Sequence, residues 1–106
     1  MTKDQVSPSI EAYKALHVAI QKDDAEMLMA LIETHKFDIN YQDASGNTLL
    51  HAAIMRDAPK VAEFLITQGT DIDKVNNEGV SSKKLATLFR HKEILQEMGR
   101  QLNNRK

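Results

Sequence analysis

Two histidines stand in nearly the same sequence context, and they are the side chains of this protein best suited to chemistry. His17 lies in LHVAI and His51 lies in LHAAI, 34 residues further on. Two imidazoles could bind a transition metal or act as a general base. Asp23 and Asp24 form a carboxylate pair that acid–base catalysis could use. Because the chain has no cysteine, thiolate nucleophiles, disulfides and cysteine-based zinc sites are excluded.

The context of the histidines is part of a longer internal repeat. At the same offset, residues 30–32 (ALI) fall on residues 64–66 (FLI). The offset then drops to 33, where residues 38–40 (DIN) fall on residues 71–73 (DID). A third and more degraded copy begins at residue 76, where NNEG corresponds to DASG of the second copy. A period of this length indicates a repeat architecture built from one small unit.

Within each copy the apolar residues have helical spacing, which predicts two short amphipathic helices. Pro59 suits the first turn of the second helix, and Gly69 suits the left-handed position after its end. Asp23 and Asp24 fall between the two helices of the first copy, where acids stabilise a helix N-terminus, so their predicted role is structural. A single helix pair cannot bury both of its faces, so the copies must stack. The apolar positions of the second copy are Leu49, Leu50, Ala53 and Ile54, then Val61, Ala62, Leu65 and Ile66.

Residues 43–73, DASGNTLLHAAIMRDAPKVAEFLITQGTDID, resemble an ankyrin repeat. The departures from the family pattern are Leu49 in place of proline and Asp57 in place of glycine. The resemblance implies an all-α fold, an ankyrin-repeat solenoid of stacked helix-turn-helix units joined by extended hairpin-like loops. We expect a single domain with a tail at 1–8, an N-terminal capping repeat at 9–42, a full repeat at 43–75 and a degenerate capping repeat at 76–106.

The resemblance also implies an architectural role for the histidines, which in this family hydrogen-bond with a nearby threonine to fix the turn and tie repeats together. A shared metal ion is implausible, since equivalent residues of stacked helices lie about 8–10 Å apart, whereas zinc ligands converge to about 2 Å from one ion. We therefore predict no catalytic site, no metal and no cofactor. The residues assigned a structural role are His17, Thr48, His51, Gly46, Gly69 and Gly79.

In the family, partner binding uses the concave surface formed by the loop tips and the inner helices. The resemblance thus implies a non-enzymatic module that binds one protein partner and serves as a regulator, inhibitor or immunity-type protein, alone as a monomer or in a complex with that partner. Alternative roles are bracing of the loop for Tyr41, and packing against the last helix for Leu88 and Phe89. The predicted partner-binding residues are Gln21, Lys22, Tyr41, Gln42, Ala44, Ser45, Asn47, Met55, Arg56, Val75, Asn77, Glu78, Val80 and Phe89.

Charge distribution leaves two other functions open. Residues 83–106 carry a net charge of +5 and residues 1–82 a net charge of −6. The basic end could bind nucleic acid, which we consider less favoured because Phe89 is the one aromatic residue in that stretch. A structural subunit that self-associates is the other alternative. A chain of 106 residues without a signal-like or membrane-length apolar run is expected to be cytoplasmic.

Overall fold

The computed structural model describes residues 10–104, with side chains through residue 100. The tail predicted at 1–8 lies outside the described residues. Six helices follow in chain order and form three antiparallel pairs. Their bounds are α1 Ile10–Gln21, α2 Ala25–His35, α3 Leu49–Met55, α4 Pro59–Thr67, α5 Ser82–Leu88 and α6 Lys92–Asn104.

The three pairs stack in two layers. In one layer α3 packs between α1 and α5, and in the other α4 packs between α2 and α6. We call α1, α3 and α5, the first helix of each pair, the inner helices; the long loops 36–48 and 68–81 lead into α3 and α5. The core lies between the layers and includes the predicted positions Leu50, Ile54, Val61 and Leu65, all fully buried. The predicted all-α repeat fold is confirmed.

The turn between the helices of each pair places one residue in the left-handed region. Asp23, Asp57 and Arg90 have φ values of 54°, 56° and 59°. They are equivalent positions of the three copies, and none is the glycine that such a backbone favours. After the second helix of the first two copies, Lys36 (φ 56°) and Gly69 (φ 86°) are left-handed as well. The repeat is therefore visible in the backbone at positions where the sequence letters differ.

Each of three helices begins at a side chain that caps it. Asp24 caps α2 by accepting from the Met27 N–H at 3.0 Å, while Thr48 caps α3 and Ser81 caps α5. Helix α4 differs because Ala58, its capping position, has no side-chain oxygen. Asp23 of the first repeat supplies that oxygen, since its Oδ1 accepts from the Val61 N–H at 2.9 Å. The first repeat thus caps a helix of the second.

Within residues 10–104, no helix combines the length and the apolar character that crossing a membrane requires.

Candidate protein-binding surface

The two loop tips, residues 43–47 and 76–80, are turns of the same construction. The Asp43 Oδ1 accepts from the N–H groups of Ser45 and Asn47, both at 2.9 Å. In the next tip the Asn76 Oδ1 accepts equivalently from the N–H groups of Glu78 and Val80. Each turn is thus held by a side-chain oxygen at its first residue, which is the local role that favours aspartate and asparagine there.

The two tips are also hydrogen-bonded to each other. The Asn77 N–H donates to the Ser45 carbonyl and the Asn77 Nδ2 donates to the Ala44 carbonyl, both at 2.9 Å. Nearby, the Asn76 Nδ2 donates to the Asn47 Oδ1 at 3.0 Å. Asn47 and Asn77 were predicted to bind a partner. Some of their polar groups form hydrogen bonds within the fold, so fewer of these groups can contact a partner.

Gln42 joins the first loop to the second from its base. Its Nε2 donates to the carbonyls of Gly46 and Val75, both at 2.8 Å. Val75 also forms an isolated antiparallel bridge with Ser81. Gln42 was predicted to bind a partner, and the structure gives it a role in ordering the loops. Its amide nitrogen has both of its hydrogens engaged.

Gly46 lies close to the backbone of the second tip. Its φ is 80°, and a Cβ at this position would lie 2.6 Å from the Asn77 Oδ1 and 2.7 Å from the Asn77 backbone nitrogen. Gly79 occupies the same place in the second tip with a φ of 77°. A Cβ there would meet no described atom within 4 Å, because no further tip packs on it. The two glycines thus share a backbone requirement but not a steric one.

His51 is fully buried and links the second repeat to the third. The His51 Nε2 donates to the Val80 carbonyl at 2.8 Å, so the other ring nitrogen is the acceptor. That nitrogen, Nδ1, accepts from the Thr48 N–H at 3.0 Å and lies 3.2 Å from the Ser82 Oγ. The Thr48 hydroxyl in turn accepts from the His51 N–H, which completes a capping box. With every polar ring atom engaged in this way, His51 is positioned for architecture.

The equivalent role predicted for His17 is wrong. His17 is exposed and has no hydrogen bond from its ring among the described residues. The reason is its place in the helix: α1 begins at Ile10, so His17 lies in the middle of the helix, whereas His51 lies in the first turn of α3. The residue that corresponds to Thr48 is Lys14, which cannot accept the bonds of a cap.

Three of the apolar side chains that the fold leaves exposed lie at the ends of the inner helices α3 and α5. Met55, Leu88 and Phe89 are 45%, 60% and 47% exposed. Met55 and Leu88 are equivalent positions of α3 and α5, which pack side by side. The alternative role of Leu88 and Phe89, packing against the last helix, stays a prediction; the Phe89 ring stacks on the ring of His91, the residue before α6, at a centroid distance of 6.1 Å.

The remaining predicted residues are distributed along the same side of the stack. Tyr41 is 36% exposed, and its ring packs against the Tyr13 ring of α1 with centroids 4.8 Å apart. Val80 is half-buried against the core and contributes the carbonyl that His51 binds. The predicted binding residues that the structure leaves exposed are Gln21, Lys22, Ala44, Ser45, Met55, Arg56, Val75, Asn77, Glu78 and Phe89, with Tyr41 at the limit.

The titratable side chains that the structure describes were also compared with the requirements of a metal site. Residues 10–100 contain no group of three His, Asp or Glu side chains placed to hold a metal ion. The adjacent carboxylates of Asp23 and Asp24 cap two different helices, α4 and α2. Sequence reasoning placed both near helix N-termini but missed that Asp23 acts on the neighbouring repeat.

A family model described as ankyrin repeats (3 copies) matches residues 2–76. The chain belongs to the ankyrin-repeat family. The ankyrin repeat is in general a non-enzymatic protein-interaction module. In this chain the matched region ends where the third and most altered repeat begins, although α5 and α6 continue the helix pairs of the first two repeats.

Relatives of this ankyrin-repeat chain are larger proteins of varied function. It is 33% identical over 85 residues to an intracellular phospholipase A2 of Caenorhabditis elegans, covering 76% of this chain and 8% of that protein. It is 34% identical over 76 residues to protein phosphatase 1 regulatory subunit 27 of Mus musculus, covering 72% of this chain and 47% of that protein. The chain thus spans less than half the length of these relatives, and what is shared with them is the repeat.

Among solved structures, the fold is similar to a chain of a complex from Bdellovibrio bacteriovorus. That complex joins the predatory endopeptidase Bd0816 to the immunity protein Bd3460. The TM-score is 0.71 at 26% sequence identity, and the match covers 83% of this chain and 46% of the other.

Proposed function

We propose that this protein is a binding module that engages one protein partner through its concave surface and acts as a regulator, inhibitor or immunity-type protein. The concave surface consists of the inner helices α1, α3 and α5 and the loop tips 43–47 and 76–80. The observation that carries the proposal is the apolar ladder at the ends of the inner helices, where Met55, Leu88 and Phe89 are exposed side by side. Exposed apolar and aromatic groups of this kind supply most of the energy at protein interfaces.

Order in the loop tips supports the same function. The bonds from Asn77 to the first tip, and those from Gln42 to both loops, hold the tips in one arrangement. A partner that binds a preordered surface has less conformational entropy to remove, so more of the contact energy appears as affinity. The tips therefore serve to fix the shape of the surface, while the helix ends provide its exposed side chains.

The comparisons fit a role in binding, because one relative is named a regulatory subunit and the similar solved chain comes from a complex that contains an immunity protein. An interface of standard size buries about 800 Å² on each partner. The exposed residues of the concave surface span all three inner helices, along a molecule whose longest dimension is 44 Å. One partner could thus contact the whole row.

The test is capture of the partner from native extract, with the wild type beside Met55→Ala/Arg56→Glu. Both side chains are exposed and neither makes a side-chain hydrogen bond within the described residues, so the double variant should fold, as circular dichroism can verify. A matched control is Lys60→Glu on α4, which changes the net charge by the same amount at a site that is also exposed but lies in the other layer. We expect a protein captured by the wild type and the control and lost with the double variant. Equal capture by all three would show that the concave surface is not used.

A further inference from the structure

The exposed side of α5 combines positive charge with apolar surface. Residues 79–92, GVSSKKLATLFRHK, contain no aspartate or glutamate. Lys83, Lys84 and Arg90 are exposed, and none of them has an ion pair among the described residues. Leu88 lies one turn after Lys84 on the same side of the helix. Cations therefore flank Leu88, the most exposed apolar side chain of α3 and α5.

Lys84 does not serve the stability of the helix on which it lies. It is the third residue of α5, where the helix dipole favours an anion over a cation. In the second repeat the same position is held by His51, which closes the capping box by accepting from the backbone of the capping residue. A lysine ammonium has no acceptor, so it cannot make that bond with Ser81. Neither the helix dipole nor the capping box therefore explains a lysine at this position.

The neighbouring inner helix continues the same character. Met55 corresponds to Leu88, and Arg56 follows Met55 at the end of α3. Arg56 is exposed and has no carboxylate partner among the described residues. The nearest acid in sequence, Asp57, lies 3.8 Å from the His91 Nε2. We call Met55, Arg56, Lys84, Leu88, Phe89 and Arg90 the basic apolar patch.

We propose that the basic apolar patch recognises an acidic protein segment that carries apolar side chains. This inference rests on the proposed function and adds the chemistry of the partner to it. Carboxylates of the partner would pair with Arg56, Lys84 and Arg90, while its apolar side chains would cover Met55, Leu88 and Phe89. Complementary charge of this kind raises the association rate and rejects basic or neutral competitors.

A protein segment fits the patch better than a nucleic acid does. Two of the three exposed apolar side chains, Met55 and Leu88, are aliphatic and offer no ring on which a base could stack. The one aromatic ring, Phe89, already stacks on His91. Phosphate binding alone would use the cations and leave the apolar side chains uncovered, whereas an acidic apolar segment satisfies both.

The experiment is a selection from a display library of short random peptides on three proteins: the wild type, Lys84→Glu, and the matched control Lys60→Glu. The two substitutions change the net charge equally, and both sites are exposed. A glutamate at position 84 can complete the capping box, so this variant is expected to fold, and circular dichroism checks that it does. A selected peptide is then measured by fluorescence anisotropy, beside an amide analogue in which its carboxylates are replaced and a single-stranded DNA of similar charge.

We expect the wild type and Lys60→Glu to enrich peptides rich in both acidic and large apolar residues. Affinity should fall about tenfold or more with Lys84→Glu, and a similar loss should follow from the amide analogue. Raising NaCl from about 50 to about 500 mM should weaken binding, because exposed charges are screened. Leu88→Ala should weaken binding of the same peptide without changing how strongly that binding depends on salt.

Several outcomes would overturn the inference. They are enrichment of neutral or basic peptides, equal affinity of Lys84→Glu and the wild type, tighter binding of DNA than of any peptide, or no enrichment at all. Neutral peptides that still lose affinity for Met55→Ala/Arg56→Glu would refute the acidic partner and leave the proposed binding surface standing. The two proposals can therefore fail separately.

Discussion

His51 joins two repeats through one side chain, and its removal should be costly. His51→Ala would leave the Thr48 N–H and the Val80 carbonyl without their partners and open space in the core. Buried groups left unpaired and a large-to-small change together predict a loss of about 2–4 kcal/mol in the free energy of unfolding. His17→Ala is the matched control, and because His17 is exposed it should change stability by less than about 0.5 kcal/mol. Urea denaturation of both variants is the measurement, and equal losses would contradict the separation of the two histidines.

The same contrast between equivalent residues exists for the loop-tip glycines. Gly79→Ala should lower the free energy of unfolding by about 1–2 kcal/mol, the ordinary cost of an alanine in the left-handed region. Gly46→Ala should lose a further 1–3 kcal/mol or so, because its Cβ would overlap the Asn77 backbone and force the two tips apart. Thermal unfolding of the two variants would show the difference, and a larger loss for Gly79→Ala would mean that the tips are not packed as described.

At the scale of the element, the first turn of helix α5 contains a residue, Lys84, that is unfavourable for helix stability. Lys84→Glu should raise the free energy of unfolding by about 0.5–1 kcal/mol, since a glutamate completes the capping box with Ser81 and suits the helix dipole. Lys84→Gln is the uncharged comparison, and it should gain part of this through the capping box alone. Urea denaturation at low salt measures both. A variant that is more stable and yet binds less well would separate the two demands on this position, whereas a loss of stability would show that Lys84 has a structural role.

Helix α4 depends on a cap from outside its own repeat, which makes two equivalent turns differ in their response. Asp57→Gly relieves a left-handed aspartate and gives up a 3.8 Å contact with His91, so it should stabilise the protein slightly. Asp23→Gly relieves the same strain but leaves the Val61 N–H without its acceptor. It should therefore be less stable than Asp57→Gly by about 0.5–2 kcal/mol, the usual worth of a helix cap. Thermal unfolding compares the pair, and identical midpoints would argue that the Asp23 cap carries no energy.

At the scale of the molecule, the sequence predicts what repeats and misses what stacking creates. The helices could be predicted because the apolar period is a local property of the sequence. The cap of α3 is local as well, since Thr48 and His51 lie three residues apart. The role predicted for His17 was wrong because His17 and His51 match in sequence but lie in different turns of their helices. The caps and clamps made by Asp23, Gln42 and Asn77 join residues 33 to 38 positions apart. Those bonds depend on how repeats sit against each other, which spacing along the chain does not encode.

The stack predicts how damage spreads through the molecule. Each repeat packs only on its neighbours, so stability is a sum of repeat and interface contributions, and a lost interface should loosen the nearer end first. His51 serves the interface between the second and third repeats, while Asp23 serves the interface between the first and second. His51→Ala should therefore lower hydrogen-exchange protection more in α5 and α6 than in α1 and α2, and Asp23→Gly should lower it more in α1 and α2. Exchange read by mass spectrometry on peptides from each helix pair makes the comparison. A uniform loss in both variants would mean that three repeats unfold as one cooperative unit, in which the interfaces are too strongly coupled for either end to open alone.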